Sequence, residues 1–351
     1  MQLVTLSTRP AVLAETWTHV HHFMPWIDRL VVVAPQRVAD GFHVEGAELR
    51  VISDEALTGL DTRALAAMDH MSRNFTLRGA IATHDAIDDE FIMGDDDARP
   101  LKPVGPELFR DGDAHRGFYF YDLDAWPGGS TPFDEGQHNV RELLGYLGYE
   151  RLAYGSHQPQ IIRKAHLAEA WDVARRLTER PALCEWALYF NIARALHPDD
   201  YCEPEPFRTL CWPQYGNEWP WWVRPSEYVF ENFYPELYEE GRLFAGLPTA
   251  LDPATVERTS VEKIMRWSDL DRQTARLEFP TGVDNPWTQH SAARRLAFGT
   301  LRRFRKAYDY VSLEERSRLT ELSGTVARLN DELRRVREHD ELRRARDHDD
   351  E

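Results

Sequence analysis

The sequence lacks the motifs that identify several common enzyme classes. It has no G-x-x-x-x-G-K-[S/T] loop and no G-x-G-x-x-G opening a helix. The chain therefore lacks the phosphate-binding loops of P-loop NTPases and Rossmann dehydrogenases. It also has no G-x-S-x-G turn for a hydrolase serine and no H-E-x-x-H pair for a protease zinc. The chemistry must therefore be sought in other residues.

Cysteine and long apolar runs are also scarce. The three cysteines, Cys184, Cys202 and Cys211, are odd in number and show no C-x-x-C spacing, which favours a reduced, cytoplasmic protein without structural zinc. The first residues enter a strand and carry no basic-then-apolar signal. No apolar run approaches the ~20 residues that span a bilayer. We expect a cytoplasmic protein, either soluble or peripheral at the inner face of the membrane.

Positive charge is in deficit. The 59 acidic residues outnumber 42 basic ones, and the net charge of −17 disfavours nucleic acid as a partner, because phosphate backbones require a basic surface. Aromatic residues are plentiful, with 11 Trp and 13 Tyr, and they suit either stacking on sugars and nucleobases or a large core.

Strand and helix signals alternate through the first third of the chain. The expected strands are Leu3–Ser7, Leu30–Ala34, Leu49–Ile52 and Phe91–Met93. The expected helices between them are Ala11–Phe23, Ala64–Ser72 and Thr76–Ile87. The run Leu-Val-Val-Val-Ala is typical of a strand buried on both faces. This alternation predicts an α/β fold with a mainly parallel sheet flanked by helices.

The most informative stretch is 90–97, in which an apolar strand runs through Gly94 into Asp95, Asp96 and Asp97. Adjacent carboxylates repel one another, so a cation or strong donors should lie nearby. Carboxylate oxygens suit Mg²⁺ or Mn²⁺, which commonly bridge protein carboxylates and phosphates. At the carboxyl end of a strand this predicts a site for a nucleotide-diphosphate donor. The alternative is an acidic surface turn.

The three aspartates are expected to differ in role. Asp97 is the candidate for direct metal ligation, and Asp95 for a metal-bound water, the metal itself or the ribose hydroxyls. Asp96 is expected to point away, because successive side chains of an extended segment face opposite directions.

Three residues elsewhere are candidates for the same site. His157, in the loop Tyr-Gly-Ser-His-Gln-Pro, could complete the metal shell or contact the diphosphate; the alternative is a loop histidine bonded to backbone. Glu185 opens an apolar helix and could be a general base or a structural cap. Arg9 follows the first strand and suits a diphosphate or base contact. Arg73, Arg78 and Lys102 are weaker polar candidates.

The C-terminal region differs in character. We predict a catalytic domain over 1–250, with an aromatic-rich acceptor lobe at about 198–250, followed by a helical region at 251–312 and a charged tail at 313–351. A basic amphipathic helix at 291–306 could contact an anionic membrane or be a solvated face of a core helix. A heptad pattern at 313–336 could form a homo-oligomer through a small coiled coil or pack as a terminal helix.

A strand followed by Asp-x-Asp after an α/β pattern resembles the GT-A class of nucleotide-sugar glycosyltransferases. The stretch from Arg73-Asn74 through the aspartates to Pro100, together with His157-Gln-Pro, also resembles the Stealth family of sugar-phosphate transferases. That resemblance implies that Asn74, Asp96, Asp97 and His157 lie in the donor site. The opening block of that family is absent, since Ser7-Thr8-Arg9-Pro10 follows the first strand.

These features together predict a GT-A-like glycosyltransferase with a C-terminal helical extension. It would depend on Mn²⁺ or Mg²⁺, use a nucleotide-diphosphate sugar and act on a cell-surface glycan or lipid-linked acceptor, as in polysaccharide biosynthesis. The same features leave two alternatives. One is a phosphotransferase-type reaction at the same site, such as sugar-1-phosphate transfer; the other is a non-catalytic scaffold assembled through the C-terminal helix.

Overall fold

The structure is a computed structural model, and it describes residues 1–125, 131–155, 157–178, 182–211 and 227–278. The chain divides into two compact units, Met1–Thr281 and Gly282–Glu351, and the second lies wholly outside the described residues. The predictions of a basic helix at 291–306 and a heptad pattern at 313–336 fall outside them too, as does the part of the predicted aromatic-rich lobe at 212–226.

The helices and strands follow in chain order. They are β1 (Gln2–Leu6), α1 (Pro10–Phe23), β2 (Arg29–Ala34), α2 (Gln36–Ala39), β3 (Glu48–Ser53), α3 (Asp54–Thr58), α4 (Thr62–Ala66), α5 (His70–Ile81), β4 (Glu90–Asp95), β5 (Ala98–Pro100), β6 (Arg110–Asp111), β7 (Ala114–His115), β8 (Phe118–Tyr119), β9 (Tyr121–Asp122), α6 (Pro132–Leu147), β10 (Leu152–Ala153), β11 (Gln160–Arg163), α7 (Lys164–Leu177), α8 (Glu185–Leu196), β12 (Glu205–Pro206), β13 (Thr209–Leu210), β14 (Phe230–Asn232) and α9 (Val256–Glu278). Single 3₁₀ turns occur at Pro106–Leu108, Leu123–Ala125, Pro198–Asp200 and Pro235–Tyr238.

A five-stranded sheet forms the centre of the first unit, in the order β11-β4-β1-β2-β3. β1 pairs in parallel with both β2 and β4, and β2 with β3, whereas β11 runs antiparallel at the edge. The predicted α/β class with a mainly parallel sheet is confirmed. The chain turns back at β1, because it first builds outward through β2 and β3 and then returns to place β4 on the other side.

Both faces of this sheet are covered. Alternate residues of β2 explain the continuous apolar run, because Val31 and Val33 join the core under α5 to α8 while Leu30 and Val32 join the core under α1. The same alternation in β4 sends Phe91 and Met93 one way and Ile92 the other, so the strand leading to the aspartates is fixed from both sides.

Some element boundaries differ from the sequence prediction. The helices expected at Ala64–Ser72 and Thr76–Ile87 are instead α4 and α5, because the Asp69 side chain accepts from the backbone N–H of Ser72 at 3.0 Å and starts α5 earlier. The aromatic stretch 118–122 forms two short strands, β8 and β9.

A smaller sheet, β13-β14-β5, follows directly from β4 through the turn at Asp96 and Asp97. A separate apolar cluster beneath it includes Leu101, Tyr228 and, from α9, Trp267. Within the described residues, no helix combines the length and apolar character needed to cross a membrane.

The contact of α5 with α7 depends on a glycine. Trp171 of α7 donates its indole N–H to the carbonyl of Phe75 at 2.9 Å, and a Cβ on Gly79 would collide with the Trp171 ring. We expect Gly79→Ala to lower the free energy of unfolding by about 1–3 kcal/mol, because overpacking outweighs the gain in helix propensity. Urea denaturation measures it.

Gly145 in α6 is the matched control. It is exposed, and a Cβ there would meet only the flexible end of Arg151. Gly145→Ala should be neutral or slightly stabilising. Equal destabilisation by the two substitutions would contradict the packing assigned to α5.

Candidate functional site

The candidate site lies at the carboxyl edge of the central sheet, between β1 and β4. β1 ends at Leu6 and β4 at Asp95, and these two residues are paired in register. This is the point where the strand order reverses, so the segments after the two strands diverge and leave a crevice. Polar residues of both segments meet there.

Arg9 joins the two strand ends. Its guanidinium donates to both carboxylate oxygens of Asp96 and, at 2.7 Å, to Oδ2 of Asp97. Ser7 adds a hydroxyl that donates to Asp96 Oδ2 at 2.6 Å, and its oxygen accepts from the backbone N–H of Arg9 at 3.0 Å. Asp96 therefore faces the cluster, and the expectation that it points away is wrong: residues 96 and 97 form a turn rather than an extended segment.

Asp97 is held from a second side. Asn232, at the end of β14, donates its side-chain amide to Asp97 Oδ1, and β14 is aligned by the pairing of Asn232 with Ala98. The backbone N–H of Phe233 also donates to the carbonyl of Asp97 at 2.8 Å. Asp97 is consequently 8% exposed, while the Arg9 side chain is 46% exposed and open to a ligand.

Asp95 is paired with His157 and Arg78. The His157 Nδ1 lies 2.8 Å from Asp95 Oδ2, and the Arg78 guanidinium donates to Oδ1 at 3.3 Å. His157 has φ +54°, a left-handed conformation that is uncommon outside glycine. Strain of this kind is concentrated at functional sites, where surrounding structure enforces it.

Glu185 contacts the cluster through Arg78 rather than directly. Arg78 Nε lies 3.0 Å from Glu185 Oε1, and its guanidinium stacks over the ring of Trp186 at 4.5 Å. Arg78 and Glu185 are both almost fully buried. The geometry gives Glu185 a positioning contact, and its role as general base stays a prediction.

Asn74 lies one turn before Arg78 on α5. Its side-chain amide is 3.2 Å from His70 Nε2, so residues 70, 74 and 78 share one face of the helix. That face leads from Arg78 towards the start of α5. Asn74 thus lies on the helix face that supplies Arg78, and its donor contact stays a prediction.

Sequence reasoning missed two of these residues and ranked a third low. Ser7 was visible only as a residue after the first strand, and Asn232 lies 135 residues from its partner without a recognisable motif. Arg78 was one of several weak candidates. The signal that could have raised its rank is its position four residues after Asn74, which places both side chains on one face of a helix.

The three charges respond differently to this environment. Burial raises the pKa of Asp95, but the contact with His157, helped by Arg78, outweighs it and holds the pKa at about 2. Burial, reinforced by the charge of Asp95, raises the pKa of Asp97 despite Arg9. Burial lowers the pKa of His157, yet its contact with Asp95 dominates and the net shift is upward.

The donor set fits a divalent cation. Four carboxylates, those of Asp95, Asp96, Asp97 and Glu185, face two guanidinium groups, those of Arg9 and Arg78, and one imidazole. The described groups of the cluster therefore carry an excess of negative charge even when His157 is protonated. Burial, reinforced by the charge of Asp95, keeps the pKa of Asp97 above its usual value.

No protein-family model matches the sequence, and no curated protein matches it. Among solved structures, galactosyltransferase LgtC in complex with donor and acceptor sugar analogs is 15% identical over 78% of this chain and 96% of that chain, with a TM-score of 0.37. An active-site mutant of LgtC gives 11% identity over the same shares and a TM-score of 0.39. Mouse xyloside xylosyltransferase 1, apo form, gives 12% identity over 67% of this chain and 99% of that chain, with a TM-score of 0.39.

These structures are glycosyltransferases. Their similarity to this chain is distant and carries no conclusion about its function.

Asp95 and Asp97 should affect stability with opposite signs. The folded-state pKa of Asp95 is depressed, so its contribution is present at pH 7 and is lost as pH falls below about 4. We expect Asp95→Asn to lower the free energy of unfolding at pH 7 by about 2 kcal/mol. The pKa of Asp97 is raised, so its ionisation costs stability that Asp97→Asn restores.

Chemical denaturation at pH 7 and pH 5 measures both variants. The gain in Asp97→Asn should shrink as pH falls towards the raised pKa of Asp97, because the wild-type carboxyl then becomes neutral. Effects of the same sign at pH 7 would contradict the electrostatics described here.

Proposed function

We propose that this protein is a metal-dependent glycosyltransferase that uses a nucleotide-diphosphate sugar. The observation that carries the proposal is the convergence of Arg9 and Asp95–Asp97 on the crevice where the strand order reverses, the usual ligand position in open α/β sheets. A surface turn of acidic residues would not be buried and cross-linked in this way.

The residues divide the donor between them. Asp95, Asp97 and His157 would hold Mn²⁺ or Mg²⁺, which when bound neutralises the diphosphate and stabilises the departing nucleotide. Arg9 is half exposed and would exchange part of its contact with the aspartates for a phosphate oxygen. The N-terminus of α1, at Pro10, lies at the same edge and adds a favourable partial positive charge.

In the proposed reaction an acceptor hydroxyl attacks the anomeric carbon as the bond from that carbon to the diphosphate oxygen breaks. The nucleoside diphosphate leaves, and the hydroxyl proton passes to a base. Burial raises the pKa of Glu185, which suits proton transfer. Glu185 is also ion-paired with Arg78, and this pair positions the guanidinium that contacts Asp95. Asn74 would contact the donor from α5.

The acceptor is proposed to be a glycan or a lipid-linked sugar. A cytoplasmic location is likewise proposed, and it agrees with three cysteines that are all free.

Calorimetric titration of UDP and GDP, each with and without Mn²⁺, tests the proposal. We expect one nucleotide to bind only with the metal, and Asp97→Ala to weaken binding by about tenfold or more, since even the outer contacts of metal ligands are worth that much. Turnover should release a nucleoside diphosphate; release of a nucleoside monophosphate would indicate sugar-phosphate transfer instead.

Asp113→Ala is the matched control. Asp113 is an exposed aspartate in the turn between β6 and β7, so its loss should leave nucleotide affinity unchanged. Failure of both nucleotides to bind with any divalent metal would overturn the proposal.

A further inference from the structure

A second group of potential metal ligands lies at the opposite end of the sheet. β11 runs antiparallel to β4 and pairs Arg163 with Glu90, so α7 starts beside the amino end of β4. The stretch of β4 from Glu90 to Asp95 corresponds to about 16 Å of extended chain, which separates this group from the aspartates. The group does not rest on the proposed function.

The group is formed by two His-x-x-acid pairs. His166 and Glu169 lie three residues apart on α7, and His197 and Asp200 follow the end of α8 in the same spacing. The ligand atoms of His166, His197 and Asp200 all lie within 4.8 Å of one another. Zinc holds its nitrogen and oxygen ligands at about 2.1 Å, so two ligands are at most about 4 Å apart, and rotation of one imidazole about its side-chain torsions would close the site.

Two imidazole rings and a carboxylate lie in direct contact in this group. The rings of His166 and His197 are parallel, with centroids 3.9 Å apart, and His166 Nε2 lies 3.4 Å from Asp200 Oδ2. A neutral imidazole is the form that binds a metal.

Supporting contacts resemble the outer shell of a metal site. His166 Nδ1 is 2.9 Å from the hydroxyl of Tyr201, which in turn is 2.8 Å from the hydroxyl of Tyr189. This contact fixes the ring and directs Nε2 at the group, as partners of metal-bound histidines do. Arg163 holds Asp200 from the other side at 2.7 Å. Glu169 is not part of this outer shell, because its Oε2 lies 2.5 Å from His197 Nε2, at a candidate ligand atom itself.

We propose that His166, His197 and Asp200, with Glu169 as a fourth ligand, bind zinc or a similar transition-metal ion and join the start of α7 to the end of α8. Two imidazoles with carboxylates suit such an ion better than Mg²⁺, which prefers oxygen ligands alone. The His197 and Asp200 side chains are about one-third exposed, so an ion has access from solvent.

Titration of the chelator-treated full chain with Zn²⁺ alone, followed by calorimetry, tests this site. We expect His197→Ala to weaken zinc binding by about tenfold or more, because a direct ligand should cost at least as much as an outer contact. Zn²⁺ should raise the thermal midpoint of the wild type and not that of His197→Ala, because only a folded site binds. The melt without zinc shows whether the variant is folded.

Two controls separate this site from others. His22→Ala removes an exposed histidine of α1 and should leave zinc affinity unchanged. Asp97→Ala alters the aspartate site and should also leave zinc affinity unchanged. Loss of nucleotide binding and loss of zinc binding are therefore independent results. Visible absorption of bound Co²⁺ should indicate tetrahedral coordination and disappear on addition of Zn²⁺.

Unchanged zinc affinity in both His197→Ala and Glu169→Gln would overturn the proposal. So would equal loss in His22→Ala, because binding would then be unspecific.

Discussion

The candidate site depends on the guanidinium of Arg9, which bridges Asp96 and Asp97 across two strand ends. Without a cation at this position, the buried carboxylates after β4 would repel one another and the turn that leads into β5 would be strained electrostatically. A single residue after β1 thus stabilises both the connection between the two sheets and the crevice beside it. Because half of the Arg9 side chain remains exposed, the same group that stabilises the fold is available to an anionic ligand.

This arrangement has a cost in stability that is characteristic of binding sites. Asp97 is buried next to another carboxylate, and its raised pKa shows that its charge is unfavourable there. If Asp97 served only the fold, a neutral residue at this position would make the protein more stable. The left-handed backbone of His157 is a second local cost in the same cluster. The proposed cation and donor would account for both of these unfavourable features.

The sequence predicted what short-range patterns determine. Local apolar runs predict the parallel sheet and the strand that leads into Asp95–Asp97. The meeting of strand ends at one edge of the sheet predicts that Arg9 belongs to the same site. Asn232 could not be predicted, because its place beside Asp97 depends on β14 pairing with β5 far along the chain. The orientation of Asp96 was predicted wrongly, because side chains in a two-residue turn do not alternate in direction as those of a strand do.

The central claim is that the aspartates after β4 hold a metal ion with the diphosphate of a nucleotide donor. Anomalous diffraction from a crystal grown with Mn²⁺ and the nucleotide that binds tests it most directly. We predict a manganese peak between Asp95 and Asp97, with the diphosphate bridging the ion and Arg9. A nucleotide bound elsewhere, with Arg9 still on both aspartates and no manganese beside them, would contradict the account.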